Sequence, residues 1–248
     1  MHETVLWHVG NGTVHGKTLI MTWVVMAIIL IIAYLGVRNL TSGKPGKMQN
    51  FLEWIADFIR GIISDNMEYE KGRPLIGYLM TLIMFIFFSN MLGLVPNFTF
   101  KKLFANVEFA HLNHIFATEG LMSPTADINV TLTLALITIT MVVYLGIKYK
   151  GAHYFKHFLE PFPVFVLIHT IDLISKPMTL AFRLFGNIFA GEVLLSVILM
   201  LPGIWVLGGI LPTTVWLGFS VFIGSIQSYV FVVLTTAYIS QAVTEDSH

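Results

Sequence analysis

Four stretches of the chain contain no Asp, Glu, Lys or Arg: residues 19–37, 75–95, 130–147 and 204–243. A fifth, 163–201, is similarly apolar but carries four charges, Asp172, Lys176, Arg183 and Glu192. At about 1.5 Å of rise per residue, about 18 apolar residues suffice to cross a hydrocarbon core about 30 Å thick. Such a core offers no water to backbone amides, so a spanning segment must satisfy its own hydrogen bonds as a helix. The sequence therefore predicts an all-α, polytopic membrane protein with five membrane-crossing segments. Composition agrees: 56% of the 248 residues are hydrophobic and 11% are charged, too apolar for a soluble domain of this size.

Between the first two spans, residues 51–63 place Phe51, Trp54, Ile55, Phe58, Ile59 and Ile62 at i, i+3, i+4 spacing, with Glu53, Asp57 and Arg60 on the other face. That pattern predicts an amphipathic helix lying in the membrane interface. Residues 1–18 are mixed polar and are read as an outer N-terminus, not a removable signal peptide, since they lack a basic region and a small-residue cleavage site. Residues 97–127 hold Lys101, Lys102 and three acids and are read as an outer loop. Residues 163–201 would form a helix near 58 Å long, almost twice the core. Such a helix must tilt strongly or break, with Pro177 the natural place to bend. Pro202 and Pro212 bracket a Gly-rich turn before the final helix, 204–243, so the last two helices are expected to form a long tilted hairpin.

The 14 basic residues balance the 14 acidic ones, which gives no reason to expect a nucleic-acid partner. There is no cysteine, which excludes disulfides, thiolate metal sites and a cysteine nucleophile. Nine Lys and Arg fall on one side of the predicted spans: Arg38, Lys44, Lys47, Arg60, Lys71, Arg73, Lys148, Lys150 and Lys156. Three, Lys17, Lys101 and Lys102, fall on the other. The positive-inside rule puts the nine in the cytoplasm, with the N-terminus outside and the C-terminus inside.

A charge at mid-bilayer costs at least about 2.5–3.5 kcal/mol on insertion scales, so Arg183 and Glu192 call for a function. At about 100° per residue, Asp172, Lys176, Arg183 and Asn187 share one stripe of the fifth segment, and Asp172 and Lys176 can pair at i, i+4. His169 lies one turn earlier on a similar face. Gly186 and Ala190 flank Arg183 and leave room for another helix to approach. Glu192 is nine residues on, about half a turn round and roughly 13 Å along the axis. A mere counter-ion for Arg183 would sit three or four residues away. Two readings remain: separate buried pairs made with other helices, or an ion path approached from opposite sides. On the final helix Ser220, Gly224, Gln227 and Tyr238 share a stripe. In an antiparallel hairpin Gln227 comes to the depth of Arg183, either as a neutral partner for the guanidinium or as a packing glutamine. Protease and P-loop motifs are lacking, and only His169 among the histidines is near an apolar span. No cofactor, metal or catalytic residue is therefore expected.

The run Arg183-Leu184-Phe185-Gly186-Asn187-Ile188-Phe189-Ala190-Gly191-Glu192, followed by Gln227, resembles the a subunit of F-type ATP synthases. The resemblance extends to the run from Ser123-Pro124-Thr125-Ala126-Asp127 through Leu132, to Ser89-Asn90-Met91-Leu92-Gly93-Leu94 and to Met48-Gln49-Asn50-Phe51. It implies a bacterial plasma-membrane stator beside a ring of c subunits, within a complex that includes peripheral-stalk b subunits. The last two helices would pack as the tilted hairpin against the ring. Two aqueous half-channels would end at different heights, separated by Arg183. Asn187, Glu192 and Gln227 match positions that line the path or hold the arginine. His169, Asp172 and Lys176 would lie toward the cytoplasmic half-channel. Glu192, Ser220, Asp127 and Asn129 would lie toward the outer one. Ser220 stands where some relatives carry a histidine, and His169 where some carry an acid. Ion flow, as H⁺ or Na⁺, would drive ring rotation, with no catalysis by this chain.

Elementary electrostatics suits that role. A guanidinium stays charged at any working pH. At about 4 Å and an effective dielectric of about 20 it attracts a carboxylate by near 4 kcal/mol, enough to favour ionisation yet let the carboxylate move on. The rival reading is a self-contained secondary transporter binding an anionic substrate at Arg183. Against it stand the few crossings and the lack of an internal repeat.

Overall fold

The computed structural model describes residues 6–9, 12–41, 43–94, 122–151, 165–200 and 211–244. The greater part of the expected outer loop at 97–127 and the turn between Pro202 and Pro212 lie outside these residues, as do residues 204–210 at the start of the expected final helix. A short antiparallel hairpin, β1 (Leu6–Val9) and β2 (Gly12–His15), opens the described chain, with Leu6 paired to His15 and Val9 to Gly12. Among the described residues the long elements after it are all helices: α1 (Gly16–Val37), α2 (Lys47–Asn66), α3 (Ile76–Gly93), α4 (Ile128–Lys150), α5 (Phe165–Met200) and α6 (Leu211–Val243). All but α2 belong to segments long and apolar enough to cross a membrane, five in number among the described residues. The protein is thus an all-helical, multi-pass membrane protein apart from its small hairpin.

Two helices show how local sequence sets the elements. A helical turn, Tyr69–Gly72, and a 3₁₀ turn, Arg73–Leu75, lead into α3, with Pro74 near the start of that turn, where a missing N–H costs nothing. In α5, Pro177 is buried inside the helix. It removes the N–H that the carbonyl of Leu173 would accept, yet the helix runs unbroken from Phe165 to Met200.

The chain forms two compact units. The first gathers Met1–Ile32, Met84–Asp127 and Phe185–Ser228. Its buried side chains include Met21, Val25, Ile86, Ser89, Asn90, Thr125 and Gln227, an unusually polar set for a membrane protein. The second gathers Ala33–Ile83, Ile128–Leu184 and Tyr229–His248. Its core is largely aliphatic, with Ile59, Ile63, Leu79, Ala135, Leu184, Val232 and Ile239 all sealed from solvent beside buried threonines such as Thr138 and Thr235. Here α2 buries Ile55, Ile59, Ile62 and Ile63, and exposes Met48, Phe51, Trp54 and Phe58 beside its charged residues. A helix apolar on more than its buried face but charged along one edge suits the membrane interface. Phe58 also meets Tyr229 with ring centroids 5.7 Å apart. On α4, the hydroxyl of Thr138 hydrogen-bonds that of Tyr78 at 3.0 Å.

Candidate functional site

The polar core of the first unit is one connected network. Ser123 precedes a 3₁₀ turn, Pro124–Ala126, whose first position is again a proline. The Ser123 hydroxyl donates to the carbonyl of Ser89 near the end of α3, at 2.8 Å, and lies 2.6 Å from the Thr125 hydroxyl. Thr125 Oγ1 donates to Asn90 Oδ1 at 2.7 Å, and Asn90 Nδ2 donates to the carbonyl of Gly224 on α6 at 2.9 Å. Gly224 eases this approach, since a Cβ there would stand 3.2 Å from that of Asn90, a tight contact. Asp127, just after the 3₁₀ turn, accepts a hydrogen bond from the Thr18 hydroxyl of α1 at 3.0 Å.

Glu192 is seated on this network. The backbone N–H of Ser123 donates to Glu192 Oε1 at 3.0 Å. Gly93, at the end of α3, makes room: a Cβ there would lie 2.7 Å from Ser123 Cβ and 2.8 Å from Glu192 Oε1. Trp216 Nε1 donates to the carbonyl of Gly191 at 3.1 Å, joining α6 to α5 beside the same carboxylate. These groups border a cavity of about 160 Å³, lined by Asn90, Gly93, Asn187, Glu192, Trp216 and Ser220 together with apolar side chains. A water molecule takes about 30 Å³ in the liquid, so the space is large enough for several, and Asn90, Asn187, Glu192 and Ser220 are the polar groups within an otherwise largely apolar lining. A carboxylate at the edge of a space large enough for water can exchange ions with that water.

The sequence-predicted residues thus divide. In the first unit, Asn187, Glu192 and Ser220 border one cavity, Asp127 belongs to the network beside it, and Gln227 is buried on α6. In the second unit, Lys176 Nζ pairs with Asp172 Oδ2 at 2.7 Å and stands 5.3 Å over the Tyr238 ring. Arg183 is exposed on α5, next to the exposed Phe182, on a helix whose Leu180, Ala181 and Leu184 are buried. A Cβ at Gly186 would meet nothing within 4 Å. Asn129 is exposed in the first turn of α4. His169 is part of α5, and its side chain lies outside the described residues. Among the described residues no three His, Asp or Glu gather in a way that could hold a metal ion.

Periodicity did not find Ser89, Asn90, Ser123, Thr125 or Trp216. The signal available for four of them was the compact polar runs Ser89-Asn90, near the end of an apolar run, and Ser123-Pro124-Thr125, shortly before another.

The sequence model of the family described as "ATP synthase A chain" matches residues 19–240. The chain belongs to the ATP synthase A chain family. Among its relatives, a Macrococcus caseolyticus protein named ATP synthase subunit a is 42% identical over 93% of this chain and 91% of its own length. Proteins of the same name from Desulforamulus reducens and Bacillus subtilis are each 40% identical, over 95% and 92% of this chain and 82% and 92% of their own lengths. The matched range, residues 19–240, takes in parts of both units.

Proposed function

We propose that the chain is the stator a subunit in the membrane sector of an F-type ATP synthase. In this reading it couples H⁺ or Na⁺ translocation to rotation of a c-subunit ring and has no catalytic chemistry of its own. The coarser part, a multi-pass membrane component of an ATP synthase, follows from the family and the five apolar helices. The observation that carries the finer part is Arg183, a guanidinium exposed on a membrane-crossing helix. Lipid is a poor neighbour for it. A carboxylate presented by another chain is a good one, and the open space at Gly186 leaves room for a helix to bring it.

Around that arginine the path has two arms. Glu192, with Asn187, Ser220 and Asp127 near it, forms the arm toward the outer side, with Asn129 assigned to the same side by resemblance. Lys176, Asp172 and His169 belong to the cytoplasmic arm, and Gln227 matches a family position that lines the path or holds the arginine. Support for two arms is the water-sized cavity at Glu192 and the separate Asp172–Lys176 pair. Between the arms Arg183 keeps ions from crossing without the ring. Partners in this reading are the c-ring and the b subunits of the peripheral stalk, with the N-terminus outside and the C-terminus in the cytoplasm of a bacterial plasma membrane.

Arg183→Ala in the whole reconstituted complex tests the reading. Ion-driven ATP synthesis should be lost while ATP hydrolysis by the catalytic head persists. Near-normal coupled synthesis by a fully assembled Arg183→Ala complex would overturn it.

A further inference from the structure

Tyr238 stands on α6 beside two buried residues of the second unit, Thr235 and Ile239, so its ring is carried on a packed stretch of helix. It meets α5 at Lys176, whose Nζ is 5.3 Å from the ring centroid. The same ammonium is 2.7 Å from Asp172 Oδ2. Lys176 is thus held from two sides, by a carboxylate one turn back on its own helix and by an aromatic face on another. The two holds differ in kind. The Asp172 side chain is 56% exposed, and an exposed i, i+4 pair is a weak restraint on a side chain as flexible as lysine. A cation within about 6 Å of a ring centroid is drawn to the ring face, and a ring on a packed helix stays where it is. Lys176 and Arg183 are seven residues apart on α5, on one stripe and about 10 Å from each other along the axis.

We infer that Tyr238 is a positioning residue for the Asp172–Lys176 arm, its ring pinning the Lys176 ammonium on Asp172 and so keeping it from competing with Arg183 for a carboxylate that passes along α5. Held this way, the ammonium stays on the carboxylate of its own helix, and the exposed Arg183 is the cation that the passing group meets. Released, a long flexible ammonium two turns away would retain a carboxylate that Arg183 has to let go. The ring acts through its face, which phenylalanine offers as well as tyrosine does. The inference rests on the reading of α5 as the helix beside the c-ring, with Lys176 part of the ion path.

The test uses the complete synthase in liposomes, with ATP synthesis measured at constant driving force. Tyr238→Leu should lower the rate by about two- to five-fold, the factor that corresponds to an exposed cation–π contact. Tyr238→Phe, which keeps the ring face, should retain the wild-type rate. Lys176→Met leaves Asp172 unpaired and should itself be slow. In that background Tyr238→Leu should cost nothing more, because the ammonium it positions is gone. An unchanged rate in Tyr238→Leu overturns the inference. So does an equal fall in both backgrounds, as expected of a tyrosine that only packs between helices. A fall in assembled Tyr238→Phe overturns it as well, and that variant remains measurable if the leucine variant fails to assemble. A wild-type rate in Lys176→Met overturns the reading of Lys176 as part of the ion path. A slow Lys176→Met to which the Tyr238→Leu loss adds in full overturns only the role of Tyr238.

Discussion

The Ser123 main chain grips Glu192: its N–H donates to Oε1 of that carboxylate at 3.0 Å, across 69 residues of sequence. An amide side chain can accept the same bond through its own oxygen. Glu192→Gln should therefore preserve the seat and remove only the charge. Ion flux should fall by roughly 10²-fold, the lower range for a positioned proton-transfer group. Because the chain has no cysteine, Glu192→Cys gives a single label site. It should react with a water-soluble thiol reagent added from the outer side, and inertness there would speak for a purely structural Glu192.

Gly93 should tolerate nothing larger. The Cβ of Gly93→Ala would overlap both Ser123 and Glu192, and overpacking of this kind typically costs about 1–3 kcal/mol. The carboxylate is the more movable neighbour, so flux should drop even where the complex assembles. Comparing flux with thermal stability checks this, since equal loss of both would mean general unfolding instead of a displaced Glu192.

Asn90 holds two bonds at once, accepting from Thr125 and donating to Gly224, and is 1% exposed. Asn90→Leu should lower stability by roughly 1 kcal/mol for each bond lost, in line with hydrogen bonds inside membrane proteins. Asn90→Asp keeps the acceptor for Thr125 but buries a carboxylate against the Gly224 carbonyl, so it should cost more than Asn90→Leu. Thermal denaturation of the detergent-solubilised complex would rank them, and the reverse order would argue that packing, not hydrogen bonding, fixes this position.

Arg183→Lys should not be a mild change. A lysine can shed its proton where water is scarce, and its point charge lacks the planar fork that meets a carboxylate with two bonds. ATP synthesis should fall nearly as far as in Arg183→Ala, which a side-by-side synthesis assay would show. Wild-type rates in the lysine variant would mean that any cation serves.

At 36 residues α5 is about 54 Å long, against a core of about 30 Å. It should lie much closer to the membrane plane than the common tilt of about 20°. Spin labels at the exposed positions Ile171 and Val197 provide a measure. With strong tilt both report hydrocarbon depth; an upright helix puts one of them in water.

The spans were readable because a membrane imposes one demand, a long run without charge, and the chain meets it in plain sight. Their ends were less so. The apolar run begins at residue 19, yet α1 begins at Gly16, because a lysine ends an uncharged run without ending a helix. Likewise α2 runs from Lys47 to Asn66, beyond the periodic core at 51–63, since its polar end turns still make helical hydrogen bonds. The hairpin before α1 was hidden in mixed polar sequence. For the site, ionisable residues in apolar surroundings announced themselves: Arg183 and Glu192 stood out by their cost alone. What seats Glu192 did not, because Ser123, Thr125, Asn90 and Thr18 are ordinary polar residues with partners 34 to 134 positions away. Periodicity describes neighbours on one helix and is blind to such bonds.

The bonds of the first unit also have a mechanical meaning. Asn90 ties α3 to α6, Trp216 ties α6 to α5, and Ser123 ties α5 to the segment that is itself bound to Ser89 of α3. Three struts joined in a closed loop resist shear, whereas two joined at one point merely hinge. In the stator role proposed above, such bracing keeps the part still while its neighbour turns. Cutting any single strut should let the frame creep under torque before it comes apart.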